Sequence, residues 1–417
     1  MTMSMTVRAM QDLTVSDLTV DVPLVWDDPI DSRTISVAAS VISREGGHDL
    51  PFLLYLQGGP GFEAPRAFHA PSSPAWLDTA LSQFRVVMLD QRGTGRSTPV
   101  GDRMLVDGAE AVADHITHLR ADSIVRDCEA VREELGVESW NVLGQSFGGF
   151  TTLTYLSNYA DSLDRVFFTG GLSAIGLSPD DVYRRTYTLM HDASERYYHR
   201  FPQHRERMRA LVEAAASGSI RLPDGEVVSV SRLRSLGSLL GANDGWQILW
   251  SLLEQHPETN AFAYDLAAAL PYSGRNPLYY VFHESCYADG SVTNWAAQRV
   301  MPTEFADDPT LFTGEHVHRA WSSSVPALMP WREVTEILAT HEWPRLYNPD
   351  AIAAAGARGA AAIYVNDVFV PMDFSLETAR LMPDLHLLIT SEHEHNGLRS
   401  GGVLQKLFDL TSKKVAR

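Results

Sequence analysis

The chain has 417 residues, 45% of them hydrophobic and 21% charged, with a formal net charge of −18. That length exceeds the needs of one compact core, so a large domain with an insertion, or two domains, is expected; the acidic balance works against nucleic acid and anionic lipid, which are held through clustered Lys and Arg. No run approaches the ~18–20 apolar residues that span a bilayer, and the opening "MTMSMTVRAMQDLTV" lacks the continuous apolar stretch of a secretion signal.

In chain order, the first fifty residues alternate β-prone runs ("DLTVDVPLVW", "TISVAASVI") with polar turns, which predicts antiparallel strands. Compact apolar runs follow: "FLLYL" (52–56), "FRVVML" (84–89), "WNVL" (140–143), "RVFFTG" (165–170), "AAIYV" (361–365) and "LHLLIT" (385–390). Runs of this length suit strands buried on both faces of a mainly parallel sheet. Between them, "ADSIVRDCEAVREELG" places Ile124, Cys128, Val131 and Leu135 on one helical face, with Gly136 as its stop. Cys128 reads as a buried thiol. With Cys286 the only other cysteine, neither a disulfide scaffold nor a cysteine metal site is expected, and the setting reads as cytoplasmic.

From about Ser173 to Pro344 the texture changes to long helical patterns rich in Arg, His, Trp and Tyr, broken by one hairpin-like turn, "LPDGEVV". The sheet pattern then resumes. Strand–helix alternation predicts an α/β fold, with helices on both faces of a mainly parallel sheet and right-handed crossovers. Residues 1–172 and 345–417 would form the core, and residues 173–344 an inserted, mostly helical cap.

Ser146 in "GQSFG" follows a strand and precedes a helical run, the setting of a Gly-x-Ser-x-Gly nucleophile elbow. The competing reading is a glycine-rich turn with a capping serine. "LQGGPGF" (56–62) follows an early strand, where this fold draws an oxyanion donor. The Phe147 N–H and the Gly59 N–H are the expected pair, since a tetrahedral intermediate needs two preorganised donors. "DQRGTGRSTP" (90–99) lacks the Lys-Ser/Thr of a phosphate loop and reads as a structural turn, with Arg92 or Arg96 pairing locally.

A serine nucleophile needs a base, and the base an orienting acid, in the chain order Ser, acid, His. Asp367 follows the strand at 361–365 and His395 follows the strand at 385–390, both at strand ends where such sheets bind ligands. Asp373 is the rival acid and His393 the rival base. No His/Cys/Asp/Glu cluster has metal-ligand spacing, so no metal and no cofactor is expected.

The motifs "QGGPG" (57–61), "DQRGTGRS" (90–97) and "GQSFGG" (144–149), in that order, resemble the proline iminopeptidase family of α/β-hydrolases. "YVNDVFVP" (364–371) resembles the segment bearing the family's acid, and "SEHEHNGLR" (391–399) the ending of its longer members, where the second histidine is the base. Gln57 stands where the family usually has histidine, and Phe147 where shorter members often have tryptophan. The resemblance implies a serine aminopeptidase acting on short peptides with a free N-terminus. A protonated amine in a desolvated site needs carboxylates; the resemblance suggests Glu284, in "HESCYADG", with Glu315 a second partner. Tyr279, Tyr280, Phe282 and Tyr287 either line a slot for a pyrrolidine ring or pack the core. An esterase or amidase without an amine requirement is the alternative enzyme, and a non-catalytic binding protein on the same scaffold the alternative class.

Overall fold

The computed structural model describes residues 3–10, 12–67, 74–399 and 402–412. Nine strands form one sheet: β1 (Met3–Met10), β2 (Leu13–Pro23), β3 (Thr34–Arg44), β4 (Phe52–Leu56), β5 (Arg85–Leu89), β6 (Trp140–Gln145), β7 (Leu163–Thr169), β8 (Gly359–Tyr364) and β9 (Leu385–Thr390). Their order is β1-β2-β3-β5-β4-β6-β7-β8-β9. The pairs β1–β2, β2–β3 and β3–β5 are antiparallel, and every pair from β5–β4 to β8–β9 is parallel.

Central strands β4, β6 and β8 are buried along their whole length, as continuous apolar runs require when helices cover both faces. β9 departs from that expectation. It is the sheet's last strand, and Leu387 and Ile389 are 37% and 49% exposed. The helix Val403–Thr411 packs against β8 and β9 through Val403, Leu404, Leu407 and Phe408.

The helix Ala121–Glu134 buries Ile124, Cys128 and Val131. It stops where Gly136 takes φ +66° and the Gly136 and Val137 N–H groups return to the carbonyls of Glu133 and Arg132. The 90–97 turn is tied to this helix. Arg96 pairs close by with Asp90, as expected, but Arg92 does not pair locally. Fully buried, it grips Asp127 at 2.6 and 2.7 Å and donates to the carbonyls of Pro23, Leu24 and His118. A guanidinium out of reach of water needs that many acceptors.

Between β7 and β8 the chain is helical, with Pro179–Arg200, Gln203–Ala216, Gly245–Leu253, Asn260–Ala269 and Arg332–Thr340 the longest segments. The first opens with a capping box, Ser178 with Asp181, and Pro179 at its first position. "LPDGEVV" makes one isolated bridge, Arg221–Val227. Apolar residues of this insertion join the cluster that also holds Leu54, Val142 and Phe168 of the sheet, so insertion and sheet share a core. Among the described residues, no helix is long and apolar enough to cross a membrane.

Candidate active site

Ser146 sits where β6 turns into the helix Phe147–Asn158, with φ 54° and ψ −124°. That left-handed geometry costs a serine on the order of 1–3 kcal/mol and persists only where the surroundings impose it. They do so here through backbone contacts. The Ser146 N–H donates to Thr169 O at the end of β7 (3.0 Å), and the Ser146 carbonyl accepts from Gly149 N–H (2.7 Å). A Cβ on Gly148 would lie 1.9 Å from the Leu56 carbonyl oxygen, so only glycine lets the helix start press against the end of β4. The Ser146 hydroxyl makes no hydrogen bond among the described residues.

Asp367 and His395 meet beyond the ends of β8 and β9. Asp367 Oδ2 lies 2.7 Å from His395 Nδ1, while Oδ1 accepts from the N–H groups of Phe369 and Val370 at 2.9 Å each. Asp367 is 1% and His395 11% exposed at the side chain. Burial pushes the imidazole pKa down, but the Asp367 charge and hydrogen bond outweigh it with help from Glu315, and the net shift is upward. Gly170, at φ +53°, makes room for the pair: a Cβ there would stand 2.9 Å from His395 Nδ1 and 3.2 Å from Asp367 Oδ2. Thus Ser146, Gly170, Asp367 and His395 all lie just past the C-terminal ends of β6 to β9. The sequence signal for Gly170 was the glycine pair closing "RVFFTGG".

The rivals lie elsewhere. Asp373, 46% exposed at the side chain, pairs with Arg185 at 2.9 Å, and His393 faces Asn243 and the Tyr364 ring. The glycine loop adjoins the serine, since a Cβ on Gly58 would fall 2.9 Å from Ser146 Cβ. Neither the Phe147 nor the Gly59 N–H has an acceptor among the described residues.

The two glutamates have different surroundings. Glu315 accepts from the Tyr279 hydroxyl and lies 3.9 Å from His283 Nε2. Burial lifts its pKa to about 7, against the Tyr279 hydrogen bond and the nearby His395. Glu284 spends both oxygens on backbone, accepting from the Ala296 and Ala297 N–H groups at 3.1 and 2.9 Å. Burial raises it too, to about 7, against those two bonds. Of the pair, Glu315 acts on the imidazole. The aromatics divide likewise. Tyr279 stacks on Tyr272 and meets Phe62 edge-on, and Tyr287 packs on Phe150 near the elbow. Tyr280 and Phe282 are core residues, packed on Trp321 and Trp343.

Sequence reasoning missed His283 and Tyr272, which are buried with His283 Nδ1 and Nε2 and the Tyr272 hydroxyl unpartnered among the described residues. Polar atoms left so are costly in a folded chain unless water or another group satisfies them. The signal available was His283 directly before Glu284. Among the described residues, no group of three or more His, Cys, Asp or Glu could hold a metal ion.

Residues 51–219 match the family described as alpha/beta hydrolase fold. A proline iminopeptidase of Aeromonas sobria is 39% identical over 93% of this chain and 94% of its own length. A proline iminopeptidase of Aspergillus aculeatus is 29% identical over 95% of this chain and 93% of its own. One from Xanthomonas citri matches at 34% identity over 27% of this chain and 29% of its own. Among solved structures, esterase E22 aligns with a TM-score of 0.49 at 10% identity, covering 95% of this chain and 99% of that one. The Aeromonas and Aspergillus similarities therefore span the helical insertion as well as the sheet.

Proposed function

The chain belongs to the proline iminopeptidase family of α/β-hydrolases, and from that premise we propose that it is a serine aminopeptidase releasing N-terminal proline from short peptides. The observation that carries the mechanism is the buried Asp367–His395 pair, which lies past the C-terminal ends of β8 and β9 of the sheet whose β6 ends at a serine held at positive φ.

In this reading Asp367, its Oδ1 oriented by two backbone N–H groups, accepts the Nδ1–H of His395 and leaves Nε2 as the base. Ser146 Oγ attacks the scissile carbonyl carbon as its proton passes to Nε2. The oxyanion is held by the Phe147 and Gly59 N–H groups. The carbon–nitrogen bond then breaks, the imidazolium proton going to the leaving amine. Water, deprotonated by His395, attacks the acyl-enzyme, frees proline and restores the Ser146 hydroxyl. Glu315 meets the protonated N-terminus, with Glu284 in the wall behind it. Residues 173–344 act as a cap over the 1–172 and 345–417 core and limit access to short peptides. A cytoplasmic setting accords with two buried, unpaired cysteines, Cys128 and Cys286.

The deciding experiment compares prolyl anilide with its N-acetylated form. The free-amine substrate should be turned over far faster. Equal rates would make the protein an esterase or amidase. Ser146→Ala should lose labelling by a fluorophosphonate probe and reduce turnover by at least ~10³–10⁴-fold.

A further inference from the structure

The loop carrying His395 is fastened from outside the sheet. Among the described residues no strand pairs with the outer edge of β9, and the chain beyond it bends at Ser391–Glu392 and again at Glu394–His395. Residues two apart on an extended segment share a side, so strand geometry alone does not choose between His393 and His395. This loop is held by hydrogen bonds to Gly241 and Asn243 of the helical insertion. Gly241 O accepts the His395 N–H at 2.9 Å. Asn243 Oδ1 accepts the Glu394 N–H at 2.9 Å, and Asn243 Nδ2 donates to Glu392 O at 3.1 Å. The same Nδ2 lies 3.4 Å from His393 Nδ1, and the Asn243 N–H donates to Asn396 Oδ1 at 3.2 Å. Gly241 is pressed close, for a Cβ there would fall 2.0 Å from the Phe369 ring, whose face or edge meets His395 at a 5.2 Å centroid distance.

We propose that Asn243 is a positioning residue for the reaction: it sets the register of residues 392–396, presents His395 rather than His393 to Asp367, and so ties the orientation of the base to the seating of the insertion. An asparagine amide suits this task because it donates and accepts at once. Asn243 is itself exposed, so it is not there to fill a core. The proposal rests on the reading of His395 as the base.

The test measures kcat, KM and the pH profile for prolyl anilide in Asn243→Ala and Asn243→Asp. Misplacing a catalytic group by about 1 Å costs on the order of 10²-fold, so Asn243→Ala should lose ~10- to 100-fold in kcat with KM little changed. Its acid limb should also move to lower pH, because His395 is raised chiefly by its contact with Asp367. Glu315 and Arg399, the other charges acting on His395, keep their side chains in this variant. Simple loss of folded protein would lower the rate and leave the limb in place. Asn243→Asp keeps the acceptor for Glu394 and should retain an intermediate kcat, and it decides the matter if the alanine variant fails to fold. A kcat within twofold of the parent in the folded variants, with an unmoved limb, overturns the proposal. His395→Ala separates the two ideas: if it stays active, the base assignment falls, whereas an inactive His395→Ala beside an unaffected Asn243→Ala overturns the role of Asn243 alone.

Discussion

A carboxylate beneath the surface is costly unless something positive reaches it, and Glu284 and Glu315 meet that demand differently. Glu284 is answered by two backbone N–H groups at the start of the short helix Ala296–Arg299, which the left-handed residues Asn294 and Trp295 bring round. Glu315 has a tyrosine hydroxyl and a histidine at 3.9 Å, and its charge reaches the His395 imidazole. Glu315→Gln should therefore remove a charge-assisted hydrogen bond to the substrate ammonium, a loss of about 1.5–3 kcal/mol or roughly 10- to 150-fold in kcat/KM. An ester without an amine should change little, and the ratio of the two substrates is the quantity to measure. Glu284→Gln should leave that ratio alone and lower the melting temperature, since one oxygen no longer accepts. The opposite pattern would exchange their roles. The sequence presented the two glutamates as partners, with Glu284 favoured by the motif around it. What separates them is the backbone turn at 294–295, where Asn294 tolerates left-handed backbone but Trp295 beside it is a residue type that rarely adopts it. Ser146, Asp367 and His395 could be singled out because each lies within five residues of the end of an apolar run of strand length, and the structure pairs the last two at 2.7 Å.

At the scale of elements, apolar runs located β4 to β9 because a buried parallel strand must be apolar throughout. Periodicity does not say which strand lies at an edge, so the exposure of Leu387 and Ile389 on β9 was invisible. Nor does it name partners distant in sequence. Arg92 looked like half of a local pair in a glycine-rich turn, and it instead joins that turn to the helix Ala121–Glu134 through Asp127, both side chains fully buried. Removing one member of such a pair leaves a buried charge unmatched, which costs about 3–5 kcal/mol. Asp127→Ala should accordingly lower the denaturant midpoint without changing the slope. The folded fraction should keep its substrate preference, because the pair's remaining hydrogen bonds go to Trp26 and to the carbonyls of Pro23, Leu24 and His118, none of them a candidate site residue. A loss below 1 kcal/mol would mean that the carbonyls of Pro23, Leu24 and His118 suffice to hold the guanidinium.

For the molecule as a whole, the proposed roles set two groups with overlapping titrations, Glu315 of the helical insertion and His395 beyond β9, against one substrate. The pH dependence of kcat/KM reports the free enzyme. There, His395 must be neutral to accept the serine proton, and Glu315 must be ionised to meet an ammonium. His395 titrates above its ordinary 6.5 and Glu315 at about 7. Both gain competence by losing a proton, so both make activity rise with pH, and because their charges interact the two steps belong to the pair. Below the pair, the logarithm of kcat/KM for a free-amine prolyl substrate should climb with a slope approaching two. N-acetylated substrate, if turned over measurably, uses the base alone and should climb with a slope of one. Glu315→Gln should bring the free-amine slope down to one as well. It should also shift the remaining limb to lower pH, because the Glu315 charge is one of the influences raising His395. A slope of one in the parent enzyme with the free-amine substrate would remove Glu315 from amine recognition while leaving the roles of Ser146, His395 and Asp367 untouched.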